Sequence, residues 1–141
     1  MRLMLTIVAV LLAAGASRGA DVVLPSPPPD IIASATACAS PKVLYEIVER
    51  FASAERRTWH RGFVMATIQN PRKSGHPYAE PGLIRRDYCM ADSWLTNGEI
   101  RTVYYTIEYG VGFASIGHYV DFCVLGLDPW RVHDGACRTV Q

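Results

Sequence analysis

RDYCMADSWL-TNG-EIRTVYYTIEY, residues 86–109, decides the fold. Two runs rich in aromatic and β-branched side chains flank Asn97-Gly98, and Asn-Gly between such runs is the strongest short-range signal for a β-hairpin. A two-residue turn centred on Asn97-Gly98 predicts that Leu95 faces Ile100, Trp94 faces Arg101, Met90 faces Tyr105 and Tyr88 faces Ile107. In that register Tyr88, Met90, Trp94, Val103, Tyr105 and Ile107 share one face, the expected core side. Cys89, Ala91, Ser93, Thr102, Tyr104 and Thr106 take the other, smaller and more polar. Asp92 and Arg101 interrupt the core side.

Upstream, Ser40-Pro41 is a helix start: serine can accept a bond from the first free amides, and proline has no amide to leave unpaired. Val43, Leu44, Ile47, Val48 and Phe51 then recur at three- and four-residue spacing. That pattern predicts a helix over 41–57 with one apolar stripe. The apolar run 63–68 predicts a short strand. Residues 70–82 hold Pro71, Pro77 and Pro81 with Gly75 and Gly82, and read as a long surface loop. Beyond the hairpin, 110–117 reads as a glycine-bearing turn and 118–127 as a third long strand. A bend at Asp128-Pro129 leads to a short last strand over 130–133, and Asp134-Gly135 turns the chain before Cys137.

These elements describe an α+β domain: one N-terminal helix packed on a curled antiparallel sheet of about four strands. The arrangement resembles the cystatin-like roll, and a fold alone assigns no function.

The chain opens with Arg2, an apolar run over 3–14 and a cluster of small residues at Gly15, Ala16, Ser17, Gly19 and Ala20. This order reads as a cleavable signal peptide over 1–20, too short in its apolar part for a transmembrane anchor. Residues 21–37, with Pro27-Pro28-Pro29, read as a flexible arm of extended character, and 38–141 as a single domain. The full chain carries a formal charge of +1; without Arg2 and Arg18, 12 basic side chains face 13 acidic ones, giving −1. So balanced a chain has no field to draw it to nucleic acid or to anionic lipid, and no stable membrane insertion is expected after signal cleavage.

Four cysteines in an exported domain imply two disulfides. Three connectivities are open, and Cys123–Cys137 with Cys38–Cys89 is favoured, the first because the chain doubles back at Asp128-Pro129. None of them stands in a Cys-x-x-Cys pair, so structural staples fit better than metal or redox chemistry. His60, His76, His118 and His133 show no metal-ligand spacing, and no serine lies in a nucleophile motif. No catalytic residue and no cofactor is assigned.

Binding features stand out more. Trp94, Arg101 and Tyr104 are residue types that anchor interfaces. Arg72, His76 and Tyr78 populate the 70–82 loop, and long ordered loops are often functional. The stretch 103–107 through Phe113-Ala114-Ser115-Ile116-Gly117, then Phe122-Cys123-Val124 and Gly126-Leu127-Asp128-Pro129-Trp130, resembles small exported proteins of alphaproteobacteria with no assigned function. That resemblance covers the last forty or so residues and implies a periplasmic or secreted domain and no activity.

The function expected is therefore a non-catalytic binding domain for a protein or envelope component, inhibitor-like in its small, stapled build. Two alternatives compete with it. One is a small periplasmic enzyme whose site in the concave face would use Asp92, Arg101 or His118. The other is a structural envelope protein.

Overall fold

The computed structural model describes residues 36–75 and 84–141. The expected signal peptide, most of the 21–37 arm, and His76 and Tyr78 lie outside the described residues. Helix α1 (Pro41–Ala54) crosses one face of a four-stranded antiparallel sheet: β1 (Met65–Lys73), β2 (Arg86–Leu95), β3 (Ile100–Tyr109) and β4 (His118–Val124). The strands follow one another in sequence order, so β1 and β4 are the edges. The domain is α+β, and its helix begins forty residues into the chain rather than at the N-terminus.

The helix buries the stripe its spacing predicts: Val43, Ile47 and Phe51 are buried, with Leu44 and Val48 partly so. They meet Cys89, Ala91 and Leu95 of β2, Val103, Tyr105 and Ile107 of β3, and Val120 and Val124 of β4. Ser40 holds the N-cap position in extended backbone, but its side chain makes no capping bond; Pro41 alone supplies the start signal. At the other end the α-helix stops at Ala54, short of residue 57, and widens into a π-helical turn (Glu55–Trp59). His60, in left-handed backbone, closes that turn by donating its amide to the Glu55 carbonyl at 2.8 Å.

The hairpin forms where Asn97-Gly98 demands, but its loop is three residues long. Leu95 and Glu99 close it, the Leu95 amide donating to Glu99 at 2.9 Å and the Gly98 amide to Leu95 at 3.0 Å. Gly98 takes the left-handed conformation (φ +88°) that this loop requires. Asn97 accepts the Glu99 amide through its side chain instead of forming the turn centre alone. The register is thereby shifted by one: Trp94 pairs with Ile100, Met90 with Tyr104 and Cys89 with Tyr105.

A one-residue shift exchanges the two faces of one strand relative to the other. The predicted core side of β3 is correct, with Val103, Tyr105 and Ile107 buried. On β2 the faces are reversed: Asp87, Cys89, Ala91, Ser93 and Leu95 are buried, while Trp94 is 40% exposed. The physical reason is the Cys38–Cys89 disulfide. Cys89 cannot look away from the helix and also bond the cysteine at the helix start.

Other boundaries moved for identifiable reasons. β1 continues to Lys73, through part of the expected loop, because Pro71 sits on an edge strand beside a register shift between Gln69 and Arg72. β4 ends at Val124, where the Leu127 amide turns back onto the Val124 carbonyl at 2.9 Å. Residues 130–133 form turns, not a strand. The Asp128 carboxylate collects the amides of Val132 (2.9 Å), His133 (2.8 Å) and Gly135 (3.3 Å), which a strand would have needed.

Candidate functional site

The cysteines pair as favoured, Cys38 with Cys89 and Cys123 with Cys137. The first fixes the segment before α1 to the middle of β2. Tyr105, fully buried, adds its hydroxyl to the Cys38 carbonyl at 2.6 Å, and burial pushes its phenol pKa up. The second folds the C-terminal segment over the outer face of β3 and β4, where Val140 and Tyr104 pack on the disulfide. Two disulfides suggest an oxidising, extracellular environment. No helix among the described residues is long and apolar enough to cross a membrane.

The expected binding residues divide between places. Arg72, Trp94 and Tyr104 lie on the outer sheet face; Arg72 pairs in register with Met90, which pairs with Tyr104. Arg101 lies opposite Ser93, near the hairpin end, and is committed there to Glu99 (2.8 Å) and to the Leu125 carbonyl (3.3 Å). Tyr104 is half-buried under the C-terminal segment, so it serves packing as much as surface.

The trio named for an enzyme does not converge. Asp92 is bound by Asn70 at 2.8 Å on the outer face, Arg101 holds Glu99 near the hairpin, and His118 stands 3.7 Å from Glu46 of α1.

The structure instead gathers a groove of about 220 Å³ along β4, between the end of α1 and the C-terminal segment. Arg50, Phe51 and Ala54 supply one wall, Trp59 and Arg61 its end, and Val132 and His133 the opposite wall. Its floor is the edge of β4, and pairing parity shows what that edge offers. The Leu125 amide donates to Thr102 and the Gly110 amide to Gly117, so odd-numbered residues of β4 bond to β3. The backbone groups of Val120, Phe122 and Val124 are therefore directed away from the sheet, toward α1 and the groove.

Arg50 is the groove's keystone. Its guanidinium donates to the outward Val120 carbonyl and to the Tyr119 hydroxyl (3.1 Å), and lies over the Tyr119 and Phe122 rings at 5.0 and 5.5 Å. Capping one carbonyl with a charge shortens the stretch of edge open to pairing. Arg61 is held by Glu55, which the π-turn carries inward to 5% exposure, and it also donates to the Leu127 carbonyl at 3.3 Å. Arg61 lies over Trp59 at 5.2 Å, and Trp59 meets Trp130 edge-on with centroids 4.3 Å apart. Trp130 remains 68% exposed.

Two polar clusters border the groove. Burial alone would raise the Asp128 carboxyl, but the amides of His133, Val132 and Gly135, with His133 itself nearby, hold it below the usual carboxylate range. The His133 ring lies 2.6 Å from the Thr139 hydroxyl through Nδ1 and 3.7 Å from Asp121 through Nε2. Among the described residues, no three histidine, cysteine or carboxylate side chains are placed to hold a metal ion.

Sequence reasoning passed over Arg50, Trp59, Arg61 and Trp130. The run Arg56-Arg57-Thr58-Trp59-His60-Arg61, basic and aromatic together, is the signal that could have found half of them. No family model, no curated protein and no solved structure matches this chain.

Proposed function

We propose that the chain is a non-catalytic binding domain of an extracytoplasmic compartment, exported by its 1–20 segment, that holds a protein partner in the groove beside β4. One observation carries this reading: the edge strand β4, whose outward Phe122 amide is met by the Asp121 carboxylate at 3.0 Å and whose Val124 carbonyl is met by the Leu127 amide, forms the floor of a groove walled by aromatic and arginine side chains. An extended segment laid there would have the Phe122 carbonyl and the Val124 amide to pair with, while the side chains of the walls would supply most of the affinity and selectivity. Trp59, Trp130 and Arg61 are residue types that dominate binding energy. The two disulfides hold the walls in place, so little freedom is lost on binding, which suits an inhibitor. A helix across a four-stranded meander agrees with a cystatin-like roll, and the resemblance to exported alphaproteobacterial proteins agrees with the compartment.

A small enzyme is the second reading, and the His133–Thr139 contact at 2.6 Å is what favours it. Against it, the neighbouring amides of Val132, His133 and Gly135 are already donated to Asp128, which removes the nearest donors for a developing oxyanion.

The test is capture from envelope extract by the disulfide-bonded protein, repeated with Trp130→Ala and Trp94→Ala. The groove reading expects one saturable partner, lost with Trp130→Ala and kept with Trp94→Ala. No partner for the folded protein, or equal loss in both variants, overturns it.

A further inference from the structure

The groove and a proline-rich segment of the same chain lie at opposite ends of α1. Residues 22–30 read Val-Val-Leu-Pro-Ser-Pro-Pro-Pro-Asp. Pro25 and Pro28 enclose two residues, the spacing by which proline-rich segments set one side of an extended left-handed helix against aromatic rings. Proline also fixes its own backbone angle, so such a segment loses little freedom on docking.

The groove offers what a segment of this kind can use. Trp59 and Trp130 meet edge-on, with Trp130 68% and Val132 66% exposed, so an apolar ring face stands open beside the β4 edge. The edge itself is poor in acceptors: Arg50 holds the Val120 carbonyl and the Leu127 amide holds that of Val124, which leaves the Phe122 carbonyl. Donors are more plentiful, in the Val124 amide, the two indoles and the guanidinium of Arg50. A proline-rich segment is the converse, with a carbonyl at every residue and no amide at its prolines. An ordinary extended peptide would leave several of its own amides unpaired here, and this one would not.

Reach identifies the occupant. Cys38 is tied to Cys89 just before α1 begins, and Thr36 is the first described residue ahead of it. From Pro41, α1 and the π-turn carry the chain about 25 Å to Trp59. Pro28 precedes Thr36 by eight residues and Pro25 by eleven, spans of up to about 27 and 36 Å when extended. The prolines can therefore meet Trp59 and Trp130 of their own chain. Charge favours the same approach. Residues 21–35 carry Asp21 and Asp30 and no basic side chain. A second depression, of about 340 Å³, shares Arg50, Ala54 and Phe122 with the groove and is also lined by Arg57. Arg57 is exposed and makes no ion pair among the described residues. The acids nearby are already engaged, Glu55 with Arg61 and Asp128 with three amides.

We propose that residues 24–30 occupy the groove of their own chain, with Pro25 and Pro28 against Trp59 and Trp130, and that a partner enters by displacing them. This inference rests on the groove reading and adds its regulation: the arm competes with every partner and sets the affinity a partner must exceed.

The test uses the purified, disulfide-bonded protein over residues 21–141 and a labelled peptide of residues 21–35, followed by fluorescence anisotropy. The double variant Pro25→Ala with Pro28→Ala should bind the peptide about tenfold or more tightly than the unaltered protein, whose groove its own tethered segment fills. Adding Trp130→Ala to that variant should abolish the binding, and adding Trp94→Ala should leave it, with far-ultraviolet circular dichroism unchanged in both. Equal binding by the unaltered protein and the proline variant overturns the proposal, as does no binding by either or binding that survives Trp130→Ala. A dimer in sedimentation that needs Pro25 and Pro28 also overturns it, and assigns the segment to the groove of a second copy. Capture from envelope extract separates this inference from the reading beneath it. The proline variant should capture the Trp130-dependent partner more strongly than the unaltered protein. Equal Trp130-dependent capture without peptide binding defeats the arm and leaves the groove reading standing. Peptide binding as expected with no captured partner defeats that reading and leaves the arm contact standing.

Discussion

Two loops flank β4, and they differ in how much their side chains do to hold them. The loop before it, 110–117, is closed by its own backbone and turns its largest side chain to solvent. The segment after it, 125–137, adds side-chain closures to backbone bonds of its own, Leu127 to Val124 at 2.9 Å and Asp134 to Arg131 at 3.0 Å. Asp128 gathers three amides, Asp134 accepts the Ala136 amide at 2.9 Å, Trp130 lies against Trp59, and Cys137 is bonded to Cys123. A loop held by side chains is part of the stability of the domain, and changing its residues lowers that stability. A loop held by backbone can change its exposed side chains freely, so those side chains are available to a partner.

The largest effects should come from the disulfides. Cys123→Ser with Cys137→Ser opens a 14-residue separation and should cost about 3 kcal/mol; Cys38→Ser with Cys89→Ser opens a 51-residue separation and should cost about 4 kcal/mol. Denaturant titration of each double variant measures both. If losing Cys123–Cys137 cost nothing, the 125–137 segment would not be structurally coupled to the sheet and the contrast between the loops would fail.

Asp128 comes next. Asp128→Ala leaves three amides without their acceptor and should cost about 2 kcal/mol, less where water reaches them. The same carboxylate gives the unaltered protein a pH signature. Its folded pKa is depressed, so its contribution is fully present above the unfolded value near 4 and is lost as pH falls through the lower, folded value. Thermal unfolding across that acid range should therefore show a decline that is shallower in Asp128→Ala. Identical acid profiles would mean the carboxylate does not organise the loop.

These residues also show how far the sequence could be read. The helix, the hairpin, the meander and both disulfides were legible, because periodicity, Asn-Gly and cysteine count are local signals. The register of the hairpin was not, since a two-residue and a three-residue loop contain the same Asn97-Gly98 and differ by one step that reverses a whole face of β2. The information that separates them is long-range: Cys89 must face Cys38. The strand expected over 130–133 failed in the same way, because Asp128 redirects amides up to seven residues away. The groove was less legible still. Its walls come from α1, the π-turn, β4 and the C-terminal segment, which only tertiary packing brings together. Of the residues expected to bind, Arg72, Trp94 and Tyr104 do share a face, though not the one that holds the groove.

The smallest expected effect is the sharpest test of the comparison. Phe113→Ser removes the most exposed large hydrophobic side chain among the described residues, one that meets no core residue and whose loop is closed by backbone bonds that serine leaves in place. Substitutions at such positions usually change stability by no more than about 0.5 kcal/mol in either direction. The midpoint of denaturant unfolding should be that of the unaltered protein within error. Trp130→Ala, equally a large exposed aromatic but packed on Trp59, should lower stability by about 1 kcal/mol. A loss at Phe113 as large as that at Trp130 would mean the ring is needed for folding after all. The 110–117 loop would then resemble its neighbour, and its exposed side chains would no longer be surplus to the fold.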